Sequence, residues 1–450
     1  MTFLMRYPRQ LLGLTLLLSS LLLGACSKQQ TLQALFQKAT PHQTYARQLR
    51  QAGLDQRPAG RAWLVAADQA LLRESLLLPL PFTETGYFRP EQPSASSYRY
   101  AVRTGEQLHV SLTLAPGATA RVFLDAFELR PGQVPSLLAS ADTTVLEFRY
   151  RAEADGQHLL RVQPELLAAG RYTLRVGREP SLSVFPVRGR TDEAVGSFWG
   201  MARDEGARRH EGIDIFAPKG TPVVAATAGY ITRTGETPRG GRVVWLAADG
   251  GNHLYYAHLD RQLVQPGQRV QAGDTLGLVG NTGNARTTPS HLHFGVYRAG
   301  QGATDPLPFV RRADKLPASP PGPDQRGEFV RLPKAVALRR SPQETKPMGS
   351  SRLSVQLPLL VLGRQGAALR VETPDGQQGY VPAKGIVGAA GRPLRRLLLP
   401  TATELLAQPM AGAPARLALP ARTPVTVLGR TAAFTLLRGP NGELGWVALS

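Results

Sequence analysis

Ser290-His291-Leu292-His293-Phe294-Gly295 is the stretch around which the chain is organised. Its two histidines stand two residues apart in an apolar run bounded by Gly280, Gly283 and Gly295. As a β-strand, this run places both imidazoles on one face, because side chains alternate with period two. Two imidazoles on one face of a rigid strand make half of a metal site. The other half has a candidate in His210-Glu211-Gly212-Ile213-Asp214. Gly212 and Pro218 argue against a helix there, so His210 is expected at a loop edge, with Asp214 entering a short strand. Two imidazoles and one carboxylate are a common ligand set for catalytic zinc, with the fourth position left to water. The metal acidifies that water and polarises the carbonyl to be attacked. A proton acceptor and an oxyanion partner are also required, and histidine serves both tasks near neutral pH. Two of His258, His291 and His293 remain for this work, and the residues alone do not say whether His291 or His293 binds metal.

Five of the eight histidines fall in this region: His210, His253, His258, His291 and His293. Alternating or apolar runs predict strands at Pro222–Ala226, Gly229–Arg233, Val243–Ala247, His253–His258, Thr275–Val279 and His291–Tyr297. Glycine-rich turns separate them, so residues 188–312 read as one antiparallel β domain. His253 reads as a strand surface residue. Glu211 receives no role, because the second histidine of a His-Glu-x-x-His helix is missing.

A chain of 450 residues predicts about three domains. With 46 glycines and 37 prolines, turns and short strands are favoured over long helices. The net charge of +20 suits an anionic polymer or membrane face. No compact Lys/Arg run with interleaved aromatics is present, which argues against a nucleic-acid partner. Cys26 is the single cysteine, excluding an intrachain disulfide and a cysteine-based zinc site. Arg6 and Arg9 precede an apolar segment from Leu11 to Leu23, followed by Leu23-Gly24-Ala25-Cys26-Ser27. This is the pattern of a secretory signal over residues 1–25, too short for a spanning helix. Its ending resembles the bacterial lipoprotein processing site, which implies that Cys26 becomes a lipidated first residue and membrane anchor.

Residues 26–94 read as a helical anchor or spacer. Thr40-Pro41 opens one helix, Gly53 closes it, and a second apolar-periodic stretch from Arg57 to Leu78 stops at Pro79 and Pro81. Residues 95–187 read as a β-sandwich, from the alternation of Tyr98, Tyr100 and Val102, then Leu108, Val110, Leu112 and Leu114. Residues 313–327 form a linker. The remainder, 328–390 and 391–450, is an internal repeat. Val361-Leu362-Gly363-Arg364 recurs as Val427-Leu428-Gly429-Arg430, and Pro374-Asp375-Gly376 as Pro440-Asn441-Gly442. Gly379-Tyr380-Val381 recurs as Gly445-Trp446-Val447 at the same offset. Asp-Gly and Asn-Gly are hairpin turns, so each copy is expected to be a small β-barrel. The copies resemble bacterial SH3-like domains, which implies binding to cell-wall peptide. The fold class is thus mainly β and multidomain: a small helical segment, a sandwich, an antiparallel β domain and two small barrels.

Residues 186–310 resemble the lysostaphin-type zinc endopeptidases of bacterial cell walls. The likeness rests on His210-x3-Asp214, Tyr256-Ala257-His258 and His291-Leu292-His293 in this order. Gly196-Ser197-Phe198-Trp199-Gly200 and Gly280-Asn281-Thr282-Gly283 flank them. The resemblance implies one Zn2+ held by His210, Asp214 and His293. It implies His291 as general base or oxyanion partner, assisted by His258, in hydrolysis of the peptide cross-links of peptidoglycan. Loops 233–242 and 281–290 border the groove and are expected to choose the bond cut. The alternative is a non-catalytic scaffold or amidase activator on the same fold, and the complete histidine set favours the enzyme. Ser27 stands after Cys26 where an aspartate would signal retention at an inner membrane, so the outer membrane facing the periplasm is the expected location.

Overall fold

The computed structural model describes residues 39–72, 75–118, 120–318, 324–349 and 352–448. The expected signal segment and Cys26 lie outside the described residues. The chain divides into two compact units at Gly53. In the first, Thr40 caps the helix Pro41–Gln51. Its hydroxyl accepts from the Gln43 amide, and the Gln43 side chain accepts from the Thr40 amide, a reciprocal capping box. Gly53, at positive φ, follows the C-cap residue Ala52 and ends the helix.

The second unit is built almost wholly of β-sheet. Its long helix, Pro58–Leu72, ends sooner than the apolar periodicity suggests, and the strands Leu76–Leu77 and Phe82–Phe88 follow. The expected spacer therefore gives up its last part to the sandwich. Phe82–Phe88 pairs with Gly170–Glu179 from Phe82↔Val176 to Phe88↔Gly170. Gly86 permits this, since a Cβ there would come 2.2 Å from the ring of Tyr172. Phe82, Phe88 and Tyr172 then enter the sandwich core with Tyr98, Leu108 and Val110. One sheet of the sandwich orders the strands Leu76–Leu77, Ser96–Val102, Gly156–Pro164, Val122–Leu129 and Ser136–Ser140. The other contains Phe82–Phe88, Gly170–Glu179, Gln107–Leu114 and Glu147–Arg151.

That second sheet does not end at Phe82–Phe88. Leu359–Gln365 from the first repeat copy pairs with it, through Thr85↔Arg364 and Gly86↔Gly363. The junction buries an ion pair. Arg370 Nε donates to Glu84 Oε1 at 2.9 Å, and Arg370 Nη2 to the Tyr172 hydroxyl at 2.8 Å. The hydroxyls of Tyr98 and Tyr380 donate to Glu84 at 2.9 and 2.8 Å. The two copies share their backbone register. Val361↔Val371 and Gly363↔Arg370 bracket a bulge in one, and Val427↔Leu437 and Gly429↔Leu436 bracket the same bulge in the other.

Between sandwich and repeats in sequence lies a ten-stranded sheet. Its order is Val195–Ser197, Ile213–Phe216, His291–Arg298, Asn252–Gln262, Gly241–Ala248, Gly229–Thr237 and Arg269–Val270, with three short strands off this path. Each strand expected from the sequence between Pro222 and Tyr297 has a counterpart here, most of them lengthened. Ile213, Ile215, Leu292 and Phe294 are buried on one face with Leu246, Leu254 and Tyr256, which forms the domain core. No helix among the described residues is long and apolar enough to cross a membrane.

Removing one member of a buried ion pair leaves the other uncompensated, at a cost of about 3–5 kcal/mol. Arg370→Ala is therefore expected to lower the unfolding free energy of the sandwich by that amount, read as a lower urea midpoint by tyrosine fluorescence. An unchanged midpoint would show that the junction contributes nothing to the sandwich.

Candidate active site

The strand Ile213–Phe216 runs antiparallel to His291–Arg298, with Asp214 opposite His293 and Phe216 opposite His291. Period-two alternation sends Ile213, Ile215, Leu292 and Phe294 into the core and turns Asp214, His291 and His293 to the other face. His210 precedes this strand. Its backbone amide donates to Met201 O, and its carbonyl accepts from Gly200 N, both at 2.9 Å, which fixes the loop edge.

His210 Nε2, His293 Nδ1 and Asp214 Oδ1 form a triangle with each side 3.0 Å. Donor atoms of a tetrahedral zinc site, each roughly 2.0–2.2 Å from the ion, stand roughly 3.3 Å apart. The three donors therefore fit a divalent metal ion with a position left over. Burial alone would raise the Asp214 carboxyl, but the His210 and His293 imidazoles beside it outweigh that effect and hold the group well below the usual carboxylate range. Burial pushes the His293 imidazole down, against the pull of Asp214. Both groups are thereby kept in the deprotonated forms that bind metal.

An outer ring of contacts orients these donors. His210 Nδ1 donates to the Phe198 carbonyl at 2.9 Å, which leaves Nε2 as the lone-pair nitrogen. Arg203 Nη2 donates to Asp214 Oδ2 at 2.6 Å and to Ser197 Oγ at 2.5 Å, which frees Oδ1 for the triangle. Gly212 has a packing reason: a Cβ there would lie 2.6 Å from His293 Cε1 and 2.7 Å from the Phe294 carbonyl oxygen.

The two remaining histidines flank the triangle. His291 Nδ1 donates to Pro289 O at 2.9 Å, and His291 Nε2 stands 4.0 Å from Asp214 Oδ1. His258 Nδ1 donates to Thr282 O at 2.9 Å. In each ring the bonded nitrogen takes the proton, so each presents Nε2 as an acceptor. The His258 and His291 rings are 5.0 Å apart, edge to face. His258 reaches this place through a β-bulge. Arg242 pairs with Leu259 and Val244 with Tyr256, so Ala257 and His258 together oppose Val243. The bulge holds His258 at φ 61, a left-handed conformation that a non-glycine residue keeps only under tertiary constraint. Burial, reinforced by the neighbouring His291 and His293, pushes its pKa down to about 4.

All five residues line a cleft of about 420 Å³, together with Tyr255, Tyr297, Arg239 and Asn284. Tyr256, quoted in the sequence motif, points the other way; its buried hydroxyl accepts from Ala226 N at 3.0 Å. His253 is exposed on its strand. Arg203, Ser197 and the cleft tyrosine Tyr255 went unread in the sequence. Ser197 lay inside a quoted flank, whereas an arginine in an Arg-rich chain carries no signal of its own.

Residues 208–306 match the sequence profile of Peptidase family M23. The chain is 36% identical over 138 residues to the L-Ala--D-Glu endopeptidase of Bacillus subtilis (strain 168), covering 28% of this chain and 42% of that protein. It is 38% identical over 109 residues to the glycyl-glycine endopeptidase ALE-1 of Staphylococcus capitis, covering 23% and 30%. It is 40% identical over 103 residues to the uncharacterized lipoprotein YgeR of Escherichia coli (strain K12), covering 22% and 39%. Among solved structures it is similar to the catalytic domain of the antimicrobial peptidase lysostaphin from Staphylococcus simulans. That match has 34% identity and a TM-score of 0.24, and covers 25% of this chain and 89% of that one. The chain spans less than half the length of each of these curated relatives. The β domain that carries the histidine cleft is thus a peptidase M23 domain of the lysostaphin type.

Arg203→Met is expected to weaken metal binding roughly 10–100-fold, the usual cost of losing an outer partner of a metal ligand. Gly212→Ala is expected to weaken it as well, because the added methyl displaces His293. Competition titration with a chromophoric chelator measures both. Metal affinity at the parent level in both variants would contradict the orienting roles given to them.

Proposed function

We propose that this chain is a zinc-dependent endopeptidase that hydrolyses the peptide cross-links of bacterial peptidoglycan. The observation that carries the reading is the 3.0 Å triangle of His210, Asp214 and His293 beside two imidazoles with free Nε2 atoms, in one cleft. The relatives named endopeptidases support the reaction class. When bound, zinc supplies an acidified water and a Lewis acid for the scissile carbonyl.

The residues do the rest. His291 Nε2, 4.0 Å from Asp214 Oδ1, accepts the proton of the attacking water. Pro289 O stabilises the resulting imidazolium through Nδ1–H. Once protonated, His291 becomes a donor to the developing oxyanion or the leaving amine. His258 remains neutral at physiological pH and takes part as an acceptor at Nε2. The β-bulge and the Thr282 carbonyl hold it in place.

The proposed location rests on the Cys26 motif. Leu23-Gly24-Ala25-Cys26 supports lipidation of Cys26, and the likeness to a protein named a lipoprotein agrees with it. An extracytoplasmic, lipid-anchored enzyme on the outer membrane, facing the periplasm, is the reading that results. The repeat copies are proposed to be SH3-like units.

His210→Ala, Asp214→Ala and His293→Ala are expected to lose metal and hydrolysis together. His291→Ala should keep its metal and lose turnover by about 10²–10⁴-fold, the usual contribution of a general acid–base group. Metal analysis and mass spectrometry of muropeptides released from purified walls measure the two separately. Hydrolysis that persists in excess chelator would overturn the proposal.

A further inference from the structure

The charges along the cleft are almost all matched. Arg203 is bound to Asp214 and Ser197. Arg208 Nε donates to Asp204 Oδ2 at 3.0 Å. Arg239 is different: it lines the cleft, is exposed, and its guanidinium has no acceptor among the described residues.

Its backbone is held firmly. Asn284 N donates to Arg239 O at 3.0 Å, and His258 N donates to Gly240 O at 2.7 Å. Gly240 N in turn donates to Thr237 Oγ1 at 3.0 Å. Gly283 packs so closely that a Cβ there would stand 2.3 Å from Arg239 O. The hairpin tip carrying Arg239 and the loop carrying Asn284 are therefore joined, and the joint also holds His258. A free guanidinium is thus presented from a rigid base, one residue from the carbonyl that binds His258.

Glu211 is the other unmatched charge of the cleft. It precedes the strand Ile213–Phe216, and the Arg239 hairpin tip adjoins Gly241–Ala248, three places away in the sheet. An anionic group on a bound peptide is repelled by the Glu211 wall and attracted to the Arg239 wall. Guanidinium matches carboxylate by paired, charge-assisted hydrogen bonds.

We infer that Arg239 is a specificity residue: it binds a free carboxylate of the substrate peptide beside the bond that is cut. The inference rests on the endopeptidase reading and narrows its substrate to peptides bearing such a carboxylate. An uncharged bridge peptide leaves Arg239 unused.

The test uses the full chain and two purified cross-linked muropeptides that differ only in one group next to the cleaved bond, a carboxylate in one and a carboxamide in the other. The wild type is expected to favour the free acid on the order of ten- to a hundredfold in kcat/KM, the range of a hydrogen bond to a charged group. Arg239→Gln should lose that preference through slower cleavage of the acid alone, with the amide rate and the metal content unchanged. Arg239→Lys should keep part of it. Equal cleavage of the two peptides by the wild type, or equal losses on both in Arg239→Gln, would overturn the inference alone. A wild type that cleaves no wall peptide at all would overturn the endopeptidase reading, and this one with it.

Discussion

The register of Ile213–Phe216 against His291–Arg298 is the constraint from which the site follows. It sets Asp214 opposite His293 and buries Ile215 and Leu292 between them and the core. Because the side-chain period is two, a slip of Ile213–Phe216 by one residue would send Asp214 inward, away from the two histidines, and Ile213 and Ile215 outward. Core packing thus fixes the pairing, and the pairing fixes two of the three donors. The domain needs no separate device to assemble this donor set: the same apolar contacts that fold it bring the three side chains together.

What the sheet does not supply, irregular backbone does. His210 comes from a loop edge and His258 from a bulge, each tied by Nδ1–H to a main-chain carbonyl. The carbonyl partners decide which nitrogen is free, so they decide what each ring can do. A left-handed His258 is unfavourable by an amount on the order of 1–3 kcal/mol, and the bonds to Gly240 and Thr282 hold it there.

Much of this was legible in the sequence, and for a physical reason. His291-Leu292-His293 and Ile213-Asp214-Ile215 are period-two patterns, and period two reports face and burial directly. The strand Phe82–Phe88 was missed because it follows a helix and two prolines, and its partner strand lies far along the chain at Gly170–Glu179. Gly212 read only as a residue that argues against a helix, whereas in the fold it makes room for an imidazole and a carbonyl oxygen. Arg203 and Arg239 had no pattern to betray them. Their distinction lies in what surrounds them: one guanidinium is consumed by Asp214, the other left unmatched. The repeat was plain from residue identities, but its first copy was expected to follow a linker as a separate bead. Pairing between edge strands depends on backbone groups and leaves little trace in side-chain pattern.

That pairing has a consequence for the integrity of the whole chain. A sheet that continues from Gly170–Glu179 through Phe82–Phe88 into Leu359–Gln365 has no open edge at the boundary. If the polypeptide were cut by a protease in the stretch before Phe329, release of the repeats would unmask two rows of unpaired amides and carbonyls at once, one on each fragment. Such edges are templates for aggregation. Proteolytic shedding of the C-terminal part would therefore yield two sticky fragments in place of a trimmed chain, and the junction acts as a guard against piecemeal loss.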